Sequence, residues 1–203
     1  MDARTLILGT GSPRRIELLK TFDLDFRSVS SGFDEDTVPL DLSPELYVRE
    51  VAYGKAKALT KEFPENPILT GDTTVYFKGK IFNKPADKKE AFETLKQFQS
   101  KSHEVWTGLC LVIGDEFFFE TARTNVYFNI VSDEAIWNYI NCFNPLDKAG
   151  SYAIQDAAGL LVNRIDGNFQ NVIGFPLTNV AALLKHVGID LWKCLKKPSA
   201  LLR

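Results

Sequence analysis

Two arginines in this chain stand where a helix would sooner carry acids. Gly9-Thr10-Gly11-Ser12-Pro13-Arg14-Arg15 follows the apolar run Leu6-Ile7-Leu8 and precedes Ile16, Leu18 and Leu19, a pattern that reads as strand, glycine turn and helix start. Ser12 suits the N-cap and Pro13 the first helical position, where a missing N–H costs nothing. Arg14 and Arg15 then fall in the first turn, where the helix dipole disfavours each cation by about 0.3–1 kcal/mol unless an anion binds there. Free N–H groups, a glycine turn and two guanidiniums make a phosphate site suited to bidentate contacts. A capped surface helix with two solvated arginines is the alternative. The stretch is neither a P-loop, which ends in Gly-Lys-Ser/Thr, nor a dinucleotide fingerprint, which needs a third glycine.

Five further residues have types suited to a highly charged substrate. Asp72 follows Gly71 at the end of the run Ile68-Leu69-Thr70, where α/β folds present functional side chains at the carboxyl edge of the sheet. A cap or turn-forming role is the plainer alternative. Lys55 shares a helical face with Val48, Val51, Ala52 and Leu59, so its ammonium either snorkels out along its stem or meets an anion in a cleft. Glu35, within Asp34-Glu35-Asp36, reads by itself as a solvated carboxylate, and as half of a divalent-cation site beside phosphates if folding brings it to Asp72. Lys84, before Pro85, and Gln155, in Tyr152-Ala153-Ile154-Gln155, lie in polar breaks between elements, where binding residues commonly sit.

The elements that must position these groups follow from periodicity. Phe26 to Ser30 predicts a second strand, followed by an acidic loop reaching Asp41, and Ser43-Pro44-Glu45 opens a helix. Ile68-Leu69-Thr70 leads a strand into Gly71-Asp72-Thr73, with a Lys78-Gly79 hairpin turn before Ile81-Phe82. Asp87 with Glu90 forms a capping box for a helix bearing Phe92, Leu95 and Phe98. Val105 to Ile130 is strand-rich around a Gly114-Asp115 turn, and Ser132-Asp133-Glu134 caps a helix with Ile136, Trp137 and Ile140. Leu160-Leu161-Val162 and Ile165 predict a further strand or hairpin around Asp166-Gly167, and Pro176 to Val187 an amphipathic helix closed by Gly188. Residues 1–188 read as one domain, and residues 189–203, with no acid after Asp190, as a partly ordered basic extension.

The 203 residues are 45% hydrophobic and 25% charged, which suits one globular domain with a sizeable core, built as two lobes. A formal net charge of -2 gives no field for holding nucleic acid, so no such partner is expected. Cys110, Cys142 and Cys194 are odd in number, far apart and outside any Cys-x-x-Cys pair. That pattern argues against a disulfide framework or zinc site and for a reducing compartment. His103 and His186 read as a strand-edge polar residue and a helix C-terminal cation. A metal here would therefore be a hard one with oxygen ligands. Neither a leader pattern nor an apolar run of membrane-spanning length occurs, so a cytoplasmic protein without membrane attachment is expected.

Taken in order, several fragments look like the Maf family of nucleoside triphosphate pyrophosphatases, once described as septum-formation inhibitors. They are Gly11-Ser12-Pro13-Arg14-Arg15, Gly71-Asp72-Thr73, Asn83-Lys84-Pro85, Pro145-Leu146-Asp147-Lys148-Ala149-Gly150, Tyr152-Ala153-Ile154-Gln155 and Asn171-Val172-Ile173-Gly174-Phe175-Pro176. The resemblance implies an α/β fold with an elongated mixed central sheet, flanking helices and two lobes around a cleft, as in inosine triphosphate pyrophosphatase-like proteins. It implies hydrolysis of a nucleoside triphosphate to monophosphate and pyrophosphate, with Mg²⁺ or Mn²⁺ as cofactor. Carried over by motif, Ser12, Arg15, Lys55 and Lys84 would hold phosphates, Glu35 and Asp72 would bind metal, and Asp72 would orient or deprotonate the attacking water.

Within the family, one branch resembles dTTP/UTP pyrophosphatases and the other acts on 7-methyl-GTP. Arg14, Thr73 and Gln155 match the first. Thr70 stands where a glycine is often found, and Ala153 and Asp156 replace the glycines flanking the Ile-Gln pair; these departures are expected to alter loop shape more than chemistry. A homodimer is a further implication of the resemblance. The alternative functions are a nucleotide-binding regulator of septation that acts through a protein partner, and a 7-methyl-GTP pyrophosphatase.

Overall fold

The computed structural model describes residues 5–155 and 157–196. Among them lies a mixed sheet of seven strands: β1 (Leu6–Gly9), β2 (Phe26–Val29), β3 (Ile68–Phe77), β4 (Lys80–Phe82), β5 (Ser102–Ile113), β6 (Glu116–Phe128) and β7 (Val162–Asp166). Their order is β2-β1-β3-β5-β6-β7, with β4 also on β3. β1 runs parallel to both β2 and β3, and every other pairing is antiparallel. β1 is buried along its whole length, which accounts for its unbroken apolar run rather than an alternating one.

Helices α1 (Pro13–Leu19), α2 (Pro44–Thr60), α3 (Lys88–Phe98), α4 (Asp133–Phe143), α5 (Phe169–Ile173) and α6 (Leu177–Leu184) cover this sheet. Alternation along the strands divides the packing between faces. Leu6, Leu8, Leu69, Leu109 and Leu111 meet Leu19 of α1 and Val180, Leu183 and Leu184 of α6. Ile7, Ile68, Cys110 and Val112 meet Ala52, Ala56 and Leu59 of α2. At the other end of the same long strands, Val75, Phe77, Val105, Val126 and Phe128 pack with α3 and α4. The two lobes are thus two ends of one sheet. No helix among the described residues is long and apolar enough to cross a membrane.

The feature that matters most for function is a gap on one edge of β3. On one side β5 pairs with it from Ile68 to Tyr76. On the other, β1 stops at the Gly9–Thr70 pair and β4 begins only at Val75. Residues 71–74 therefore have no strand beside them on that edge, and a cleft opens there.

Several expectations need correction. β3 does not end at Asp72; Gly71 breaks nothing, because its missing side chain admits the Leu109 side chain, which an added Cβ would meet at 2.8 Å. Ser12 precedes α1 without capping it; its own N–H donates to Thr10 Oγ1 at 3.1 Å. β7 starts at Val162 because Ala157–Leu160 forms a 3-10 turn. His103 is no strand-edge residue: it is buried against Phe98 with ring centroids 4.3 Å apart. There Nε2 shares a 2.8 Å hydrogen bond with the Tyr152 hydroxyl, and burial pushes the imidazole pKa down to about 3. His186 does follow α6, stacked on Phe118. The expected extension begins inside the body, since Leu191 joins the core and Asp23 N–H donates to Cys194 O at 2.6 Å. Asp156 and residues 197–203 lie outside the described residues.

Candidate active site

Successive residues of a strand point to opposite faces, and at the β3 gap both faces border the cleft. Asp72 turns toward α2, where its Oδ1 accepts a 2.9 Å hydrogen bond from Lys55 Nζ. Thr73 turns the other way, toward α1. Lys55 resolves the choice between snorkelling and anion pairing: the same ammonium lies 2.8 Å from Glu35 Oε1. Its side chain is 12% exposed and that of Asp72 11%, against 40% for Glu35. Folding therefore brings together two carboxylates that are 37 residues apart in the chain, with one cation between them. Thr70, the departure just before Gly71, is buried with its hydroxyl donating to Ala52 O at 2.7 Å. It ties β3 to α2 one turn of helix before Lys55.

The two arginines, alike in sequence, have different surroundings. Arg15 is buried, and its guanidinium donates from Nε to Gly174 O at 2.8 Å and from Nη1 to Gly71 O at 2.6 Å. Nη1 also reaches Thr10 Oγ1 at 3.4 Å, and Nη2 donates to Thr73 Oγ1 at 3.1 Å. Burial lowers its pKa, opposed by the nearby Asp72 charge; an arginine so placed remains charged. Most of its donors are spent on the protein, so its positive charge borders the cleft from a fixed position. Arg14 is more open and reaches Asp147 of the opposite lobe at 3.9 Å. Ser12 Oγ has no partner among the described residues and faces the same space.

The far wall comes from the β3–β4 hairpin and the segment 145–155. Lys84 is exposed, without a hydrogen bond or ion pair among the described residues, and Gln155 is likewise exposed and unpartnered. Asn83 is fixed on both sides, accepting from Thr74 Oγ1 at 2.9 Å and donating to the Tyr47 hydroxyl at 2.8 Å. This bracing anchors the chain next to Lys84. Burial raises the Tyr47 pKa, and Asp72 and Glu35 add to the rise. Behind Gln155, Ala153 N–H donates to the Tyr139 hydroxyl at 3.1 Å, and Tyr152 is held by His103.

Together these surfaces enclose about 700 Å³, within the range of small-molecule sites. Ser12, Arg14, Arg15, Glu35, Lys55, Asp72, Thr73, Lys84 and Gln155 all line it. Lys148 also lines it and went unassigned in the sequence. Its ammonium sits 2.7 Å from Asp147 Oδ1; burial would raise the Asp147 pKa, but Lys148 and Arg14 outweigh it and the net shift is downward. The Asp147-Lys148 pair within Pro145 to Gly150 was the available signal.

Among the described residues, no group of three or more His, Cys, Asp or Glu side chains gathers around a metal position. Glu35 and Asp72 are two hard carboxylates converging on one ammonium. That number fits Mg²⁺ or Mn²⁺, which take one or two carboxylates and complete their shell with water and substrate phosphates.

The sequence profile described as "Maf-like protein" matches residues 5–187. A dTTP/UTP pyrophosphatase of Caldicellulosiruptor bescii is 40% identical over 196 residues, covering 94% of this chain and 98% of that one. One of the same name from Chlamydia caviae is 38% identical over 188 residues, covering 92% and 96%. A solved dITP/XTP pyrophosphatase from Mycobacterium abscessus aligns at 14% identity over 61% of this chain and 74% of that one, with a TM-score of 0.38, too slight a likeness to bear on the site.

Proposed function

The chain belongs to the Maf-like family, and from that premise we propose that it hydrolyses dTTP and UTP, or close pyrimidine analogues, to the nucleoside monophosphate and pyrophosphate. The observation that carries the reading is the Glu35–Lys55–Asp72 triad on the floor of a cleft bordered by arginine and lysine from both lobes. The shared name of the two relatives supports the choice of nucleotide.

In this reading the triphosphate enters along Ser12 and Arg14, with the fixed charge of Arg15 beneath. Attack on the α-phosphorus builds negative charge on its equatorial oxygens and on the departing pyrophosphate. Lys55, Lys84 and Arg15 favour that distribution over the ground state. The Asp72 carboxylate orients the attacking water and accepts its proton; no covalent intermediate is needed. Glu35 and Asp72 would hold a Mg²⁺ or Mn²⁺ ion, which polarises phosphate oxygens as a Lewis acid when bound. Gln155 offers an amide donor and acceptor to the imide edge of uracil or thymine. Thr73, bonded to Arg15, acts on specificity through the position of that guanidinium. The partner is a nucleotide rather than a nucleic acid or membrane, and three free cysteines suit a cytoplasmic location.

Pyrophosphate release across a panel of nucleoside triphosphates, run in ¹⁸O-water, tests this. The expected result is the highest kcat/KM for dTTP and UTP, with label in the monophosphate. Orthophosphate as first product, or label in pyrophosphate, overturns the bond assignment. Nucleotide binding without turnover would favour the septation regulator instead.

A further inference from the structure

Resting on the reading of Glu35 given above, we infer that Phe33 and Gly54 form a clasp that positions Glu35 for the reaction. Glu35 sits in a single 3-10 turn, Glu35–Thr37, none of whose residues is buried. What holds this turn lies on either side of it. Val38 and Phe33 both pack into the cluster formed with Tyr47, Val48 and Val51 of α2. The Phe33 ring comes to rest on the helix directly over Gly54, where an added methyl would lie within 2.7 Å of three ring carbons. Gly54 immediately precedes Lys55, whose ammonium takes Glu35 at 2.8 Å, and Phe33 and Lys55 both line the cleft.

Glycine inside a helix is unfavourable relative to alanine because it has more backbone freedom to lose. Gly54 is not among the residues with positive φ, so the left-handed freedom of glycine is unused. What it supplies is the missing side chain. The seat for Phe33 exists at the expense of helix stability, and the group whose placement gains is Glu35. Phe33 and Gly54 touch no reacting atom and are positioning residues.

Gly54→Ala separates the two effects. The expected result is a melting temperature equal to or above wild type, with faster hydrogen exchange at the amides of residues 33–38. Turnover should fall about tenfold, since small misplacements of site groups are costly, and half-saturation by Mn²⁺ should require a higher concentration. Phe33→Leu in the same background, a smaller side chain over the new methyl, should restore much of the turnover. In a Glu35→Gln background, Gly54→Ala should cost nothing more, because two changes acting through one group are not additive.

Equal losses in both backgrounds, or wild-type turnover with faster exchange, overturn the clasp. So does unchanged exchange at residues 33–38, a readout that needs no turnover. Absence of nucleotide hydrolysis by the wild-type protein would instead strike the proposed function, leaving the exchange comparison to decide the clasp.

Discussion

Lys55 is the one cation paired with Asp72 among the described residues, and it keeps Glu35 as a second partner. Asp72→Asn should therefore leave the fold standing: volume is kept and Lys55 is not left without a counter-charge. Asparagine cannot accept a proton from water, and turnover is expected to drop about 10²–10⁴-fold. Initial rates of pyrophosphate release with parallel melting curves check this, and a kcat within a few-fold of wild type would sink the assignment. Gln155 poses a different question, because its amide has no protein partner among the described residues and extends into the cleft. Gln155→Glu removes the donor, so kcat/KM for UTP and dTTP should fall by the equivalent of about 1–3 kcal/mol while 7-methyl-GTP is little affected. Equal losses on every nucleotide would mean that Gln155 only shapes its loop. The residue types of Asp72, Lys55 and Glu35 were legible in the chain. Their convergence was not, since it depends on two segments meeting across α2.

At the scale of elements, Arg14 and Arg15 differ in a way their sequence hides. Arg15 joins the β1–α1 turn, β3 and the residue after α5 through backbone carbonyls of Gly71 and Gly174. Arg15→Met would strand both, at about 1–3 kcal/mol for each unpaired group. Urea unfolding should accordingly show a loss of at least about 2 kcal/mol, whereas Arg14→Met, with one long contact to an exposed carboxylate, should stay within about 0.5 kcal/mol. A reversed order would mean that Arg15 is not the cross-link. Helices α2, α3 and α4 could be read in advance because each starts with a side chain that caps it: Ser43, Asp87 and Ser132 accept from Leu46, Glu90 and Ala135 N–H. α5 could not, since five residues carry no period. The gap beside β3 was equally hidden, because where β1 and β4 stop pairing is a property of the sheet and not of any one segment.

At the scale of the whole molecule, His103 ties stability to pH. Its folded pKa of about 3 lies below the ordinary histidine value of 6.5, because burial penalises the imidazolium. The unfolded chain therefore takes up a proton that the folded one refuses. The associated stability is complete above pH 6.5 and is lost as pH falls toward the folded value, by about 2 kcal/mol between pH 7.5 and pH 5. Denaturant titrations of wild type and His103→Gln at both values should show that much extra loss in the wild type; parallel losses would remove histidine as the cause.

The same sheet that carries His103 also settles how the cleft can move. β3, β5 and β6 pass unbroken from the core under α1 and α6 to the core under α3 and α4. Opening the slot by swinging one lobe against the other would mean breaking a ladder of backbone hydrogen bonds. In mechanical terms the frame is a stiff beam, with compliance confined to its rims, the acidic turn on one side and residues 145–155 on the other. The spacing of the two lobes is thus set when the chain folds, and any adjustment to what enters the slot falls to its rims.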